Sequence, residues 1–159
     1  MKLAINMEKS AQMLLVSATK NAIQNVVPLN LAIDNPRILG QSLDIQYGVL
    51  IGMTGDMKGK LVLSGDSDVF GNIGEVMFGM KIGDEMLSSF SGELGNMIAG
   101  GLSSQIYENG LKTDITSPTV LSGNTTLSGF QRALHIPATF ERAGEMGIYL
   151  LLDAFKGMR

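Results

Sequence analysis

With 159 residues, 45% apolar and 17% charged, the chain can bury one substantial core but is too short for two, so a single domain over 1–159 is expected. A net charge of −3 and the spread of Lys2, Lys9 and Lys20 argue against nucleic-acid binding, and the lack of cysteine excludes disulfides and thiolate metal centres. Asn6, Glu8, Lys9 and Ser10 interrupt the N-terminal apolar residues, and no apolar run approaches the ~18 residues of a membrane span, so a cytoplasmic protein without signal peptide is expected.

Residues 2–26 read as an amphipathic helix with Met7, Met13, Leu14, Ala18, Ala22 and Val26 on its apolar side, ended by Pro28 within an N-terminal segment 1–28. A polar connector spans 29–42, with Asn35-Pro36 turning and 38–40 extended. Ile45–Met53 and Lys60–Ser64 form a hairpin around Gly55–Gly59. A short helix over 66–80, capped by Ser67 or Asp68, places Val69, Phe70, Ile73, Val76, Met77 and Met80 on one side. Gly79–Gly83 breaks it, Asp84 caps a second long helix over 84–109, and Asn109-Gly110 stops that helix.

Beyond it, Leu111–Thr116 and Thr119–Leu121 read as strands and Ser122–Gly129 as a flexible stretch. Phe130–Glu141 and Gly147–Ala154 form a second hairpin. Helices segregated from antiparallel hairpins give an α+β class, two long helices packed with hairpins. Gly55–Ser64 (GDMKGKLVLS) echoes Gly144–Asp153 (GEMGIYLLLD), the mark of a diverged internal repeat. The eleven methionines are expected to be adaptable core filler.

Ser89–Ser104, SFSGELGNMIAGGLSS, has helical periodicity yet contains Gly92, Gly95, Gly100 and Gly101. Each helical glycine costs about 1 kcal/mol relative to alanine, so the four together cost about 4 kcal/mol. On a wheel of about 100° per residue, Leu87, Phe90, Leu94, Met97, Ile98, Gly101 and Leu102 form a buried arc of roughly 140°. Opposite it lies Asn96, surrounded by Ser89, Gly92, Ala99, Gly100 and Ser103 and flanked by Glu93. Small residues let another backbone approach. Such a strip suits an external partner, but it equally suits the helix over 2–26. The two readings require opposite things of Asn96, exposure or burial.

Gly92-Glu93-Leu94-Gly95-Asn96-Met97-Ile98-Ala99-Gly100, with Ser89 four residues before the glutamate and Pro118 a little over twenty beyond the asparagine, resembles the signature helix of the CheC/CheX/FliY chemotaxis phosphatases. Gly55–Leu63 and Ser117–Gly123 resemble family strands, and the likeness covers most of 45–153. CheC-type members carry two E-x-x-N helices; this chain has one, as the CheX type does.

The resemblance implies a CheC-like fold and a hydrolase acting on the aspartyl phosphate of a CheY-type receiver. It implies no cofactor of the protein's own, Mg²⁺ on the receiver, and a homodimer. Glu93 and Asn96 are then the catalytic pair: Asn96 positions a water for in-line attack, and Glu93 pairs with a cation of the receiver. Ser89, Gly92, Ala99, Gly100 and Ser103 are the docking residues. A non-enzymatic adaptor that binds a receiver or motility protein through the same helix is the alternative. The lone His135 alternates with Ala133 and Pro137 on a strand and reads as structural. Gly55–Lys60 is a hairpin turn rather than a phosphate loop, since no helix follows it.

Overall fold

The computed structural model describes the backbone of residues 2–40, 42–130 and 132–155, and the side chains of 9–40, 42–130 and 132–153. In chain order the elements are α1 (Lys2–Val26), β1 (Leu31–Ile33), β2 (Arg37–Leu39), β3 (Ser42–Gly55), β4 (Met57–Gly65), α2 (Ser67–Phe78), α3 (Asp84–Tyr107), β5 (Thr113–Ile115), β6 (Thr119–Ser128), β7 (Arg132–Phe140) and β8 (Gly144–Phe155). All strand pairings are antiparallel, in one sheet ordered β1-β7-β8-β4-β3-β5, with β2 also on β7 and β6 also on β3.

The strand alternation sets two layers. Tyr47, Val49, Ile51 and Met53 of β3, Leu61 and Leu63 of β4, and Ile148 and Leu150 of β8 face the helices. There they pack with Leu15, Ala18 and Ala22 of α1 and Leu94, Ile98 and Leu102 of α3. Val62 and Leu151 point to the other face, where Leu43, Ile45, Phe130 and Ala133 cover them in a smaller cluster.

The order helix, two strands, hairpin occurs twice, from α1 to β4 and from α3 to β8. Each pair of leading strands adds to the other half's hairpin: β1 and β2 to β7, β5 and β6 to β3. Gly55, the last residue of β3, and Gly144, the first of β8, flank the two hairpin turns with φ of 106° and 120°, values that favour glycine. Six residues beyond each, Leu61 and Leu150 face one another across β4–β8.

Several expectations need correction. The inner face of α1 carries Ala11, Leu15, Ala18, Ala22 and Ile23, whereas Met13 is 73% exposed; Met7 lies outside the residues whose side chains are described. Strands β3, β4 and β8 are longer than expected, because cross-strand pairing absorbs glycines and lysines that sequence pattern assigns to loops, whereas β7 is shorter than the expected 130–141. Ser122–Gly129 is not a flexible stretch: through Ser128 it is strand, paired with the first half of β3. Asp66 caps α2, its carboxylate accepting from the Asp68 amide at 3.1 Å. Gly83 takes the N-cap position of α3 without a side-chain bond. Val76 and Met80, expected on the apolar side of α2, are exposed.

Candidate functional site

α3 is held from two sides, which makes its covered surface wider than one apolar stripe. On one side Gly101 lets α1 approach: a Cβ there would stand 3.2 Å from the Ala22 Cβ. Beneath the helix, a Cβ on Gly95 would meet Val49 Cγ1 at 2.7 Å and Ile51 Cδ1 at 2.9 Å, so only glycine lets the helix sit this close to β3. On the other side the β5–β6 segment runs alongside. Ser103 Oγ donates to the Thr113 carbonyl at 2.6 Å, and the Pro118 ring lies 3.7 Å from where a Gly92 Cβ would be. Near the N-terminal end, buried Ser91 bonds the Tyr47 hydroxyl at 2.9 Å and donates to the Leu87 carbonyl at 2.7 Å, pinning the helix rotation to β3.

The expected outer strip therefore divides. Ser89 and Glu93 are exposed, Asn96 is half-buried, and a Cβ on Gly100 would meet nothing within 4 Å. Gly92 and Ala99, expected on that strip, are buried instead. Ser103 is half-buried and already engaged with Thr113. The physical reason is the β5–β6 segment, which covers the Gly92–Ala99–Ser103 edge. Asn96 thus stands at the border of this wall rather than in the middle of an open face. Helix α1 contacts the Gly101 side and leaves Asn96 accessible.

The residues of the expected strip and signature pair that stay at least partly open, Ser89, Glu93, Asn96 and Gly100, recur at alternating steps of four and three, so they share one line along the helix. Glu93 and Asn96 are about 4.5 Å apart along the axis. A cleft of about 850 Å³ at the N-terminal end of α3 is lined by Asp44, Asp66 and Asp84, and neither Glu93 nor Asn96 lines it.

Among the described residues no group of three or more His, Asp or Glu is placed to hold a metal ion, and no helix is long and apolar enough to cross a membrane. His135 stacks on Tyr149 at 4.4 Å and 9° across β7 and β8, far in sequence and sheet position from α3. Burial, and then the charge of Arg37, lowers the His135 pKa from 6.5; burial raises that of Tyr149. Sequence reasoning did not find the Tyr47–Ser91 bond, for which no local signal exists.

The family described as chemotaxis phosphatase CheX matches residues 47–139, from β3 through the signature helix into β7. The chain belongs to the CheX family. The CheY-P phosphatase CheX of Thermotoga maritima is 29% identical over 142 residues, which cover 86% of this chain and 91% of that protein. The crystal structure of chemotaxis protein CheX from Desulfovibrio desulfuricans superposes with a TM-score of 0.75 at 20% identity, over 89% of this chain and 97% of that one. The CheX-CheY-BeF3-Mg²⁺ complex of Borrelia burgdorferi gives a TM-score of 0.71 at 18% identity, over 88% and 96%. The structural likenesses cover nearly nine-tenths of the α+β fold.

Proposed function

We propose that this CheX family member hydrolyses the aspartyl phosphate of a CheY-type receiver, with Asn96 as the water-positioning residue and Glu93 as the orienting one. The observation that carries the reading is that Asn96, half-buried at the border of the β5–β6 wall, remains accessible beside exposed Glu93 and is not covered by α1. The Thermotoga relative bears the name CheY-P phosphatase, and the Borrelia relative was crystallised with CheY, BeF3 and Mg²⁺.

An acyl phosphate has a good leaving group, so little is required beyond a correctly placed water. The water oxygen bonds to phosphorus as the bond to the aspartyl oxygen breaks. The electron pair leaves with the carboxylate, and the water protons remain with inorganic phosphate and solvent. The Asn96 carboxamide can accept from one water while staying neutral beside the phosphoryl oxygens, as the water-orienting glutamine of GTPases does. Glu93 would repel the phosphoryl group unless it met a cation. Pairing with a lysine of the receiver satisfies that need and fixes the approach of Asn96. Mg²⁺ belongs to the receiver in this scheme and neutralises charge on the transferred group.

The test is decay of a phosphorylated CheY-type receiver with wild-type protein and with Asn96→Ala, alongside binding to the same receiver in its BeF3⁻–Mg²⁺ form. Accelerated decay that Asn96→Ala abolishes, with binding retained, is the expected result. Equal acceleration by both forms overturns the role of Asn96. Binding without acceleration by either form makes the protein an adaptor.

A further inference from the structure

Among the described residues seven large apolar side chains are exposed, and four of them fall in the stretch from the end of α2 to the first turn of α3. They are Val76, Phe78, Met80 and Met86, at 41%, 57%, 66% and 57% exposure. The corner is firmly built. Ile82 fills the space left by Gly74, where a Cβ would lie 2.6 Å from its Cδ1. The Phe78 ring stands edge-on to Phe90 of α3 at 5.6 Å. Gly79 caps α2 with φ 72°, its amide donating to the Glu75 carbonyl at 2.8 Å, and turns the chain sharply between Phe78 and Met80. The apolar side chains are presented by packed neighbours.

Helical register joins this corner to the signature pair. Met86 precedes Glu93 by two turns, about 10 Å along the axis and within about 20° of the same line. Phe90, which supports Phe78, lies one turn before Glu93. One carboxamide and one carboxylate on an open surface provide orientation but little affinity. Buried apolar anchors normally provide that, and an exposed apolar patch marks such a site.

We propose that Phe78 and Met86 are affinity-determining contacts for the receiver, an apolar shoulder on which it rests while its acyl phosphate reaches Asn96. The inference depends on the phosphatase reading above. The receiver suits this shoulder better than a second copy for two reasons. A copy seated here would crowd Glu93 two turns along. It would also oppose rims of one sign, since Glu75, Asp84, Glu85 and Glu93 outnumber Lys81 around the patch and all are exposed. The adaptable methionine thioether fits a surface that must accept a partner and release it.

The experiment uses the full-length protein and a CheY-type receiver that it dephosphorylates, with the BeF3⁻–Mg²⁺ form as binding probe. Phe78→Ala/Met86→Ala is expected to raise both Kd and KM about tenfold and to leave kcat within about twofold. Met86→Gln, which keeps a good helix former at an exposed position, tests the same point without disturbing Phe90; about a threefold rise is expected. Met13→Ala, on α1, is the control and changes nothing.

Unchanged Kd and KM in both patch variants overturn the inference. So does conversion of a dimer to a monomer with receiver affinity intact, which would assign the patch to a second copy. Either result leaves the phosphatase reading standing, because that reading is tested by receiver dephosphorylation with the wild-type protein and with Asn96→Ala. A wild-type protein that neither binds nor dephosphorylates receivers overturns both.

Discussion

The two sides of α3 use glycine for opposite purposes. On the inner side, Gly95 and Gly101 have neighbours within 3.4 Å of where a Cβ would be, and the helix is pressed onto β3 and α1. On the outer side, Gly100 has open space around it. The propensity cost is the same at each position, but the return differs. Inside it is close packing, which a folded chain obtains for itself. Outside, nothing among the described residues fills the clearance at Gly100, and in the function proposed above it admits the receiver. A helix that is weak on both counts is held by its surroundings: Tyr47 through Ser91, Ala22 against Gly101, and the β5–β6 segment along Gly92 and Ser103.

Substitutions on each side test this contrast. The largest effect is expected at Asn96: replacing it by alanine should lower accelerated dephosphorylation by roughly 10²-fold, since misplacing a reacting group costs about that much, while the melting temperature is unchanged. Stopped assays of receiver phosphate and a thermal melt on the same sample measure both. Next, Gly95→Ala should destabilise by about 1–3 kcal/mol through overpacking against Val49 and Ile51, despite the gain in helix propensity. Urea unfolding measures this, and a neutral or stabilising result would mean that β3 yields to the helix.

Gly100→Ala should do the reverse, raising stability by about 0.5–1 kcal/mol while raising KM for the phosphorylated receiver. A variant both more stable and fully active would remove the outer glycine from the docking surface. The smallest effect lies at a third place, the stacked pair on β7 and β8. His135 has a folded pKa below 6.5, so the unfolded chain takes up its proton first as pH falls. Its contribution to stability is complete above pH 6.5 and declines below that value toward the folded pKa. His135→Phe should flatten that part of a stability profile without altering activity near neutral pH, and an unchanged profile would place the acid sensitivity elsewhere.

Much of the architecture is legible in the residues. The boundaries of α1 and α3, the two hairpins and the antiparallel class follow from periodicity and from glycine placement, because these are local or nearest-neighbour properties. The small-residue strip and the single Glu-x-x-Asn pair likewise mark one helix as exceptional. Rotational detail is another matter. Helical wheels placed Ala99 and Gly92 outside and Met13 and Val76 inside, since a wheel assumes one packing partner and α3 has several. Ser122–Ser128, polar and glycine-bearing, lacks strand character until the first half of β3 supplies backbone partners.

The sequence by itself determined that one face of α3 would carry small residues around Asn96, and that a carboxylate and a carboxamide would sit one turn apart there; both are consequences of spacing. Only the tertiary structure decided which of those bare positions stay open. Whether α1 or a strand covers a small residue depends on contacts made by residues distant in sequence. Here β5 and β6 closed the edge at Gly92 and Ala99, and left Glu93, Asn96 and Gly100 to the outside.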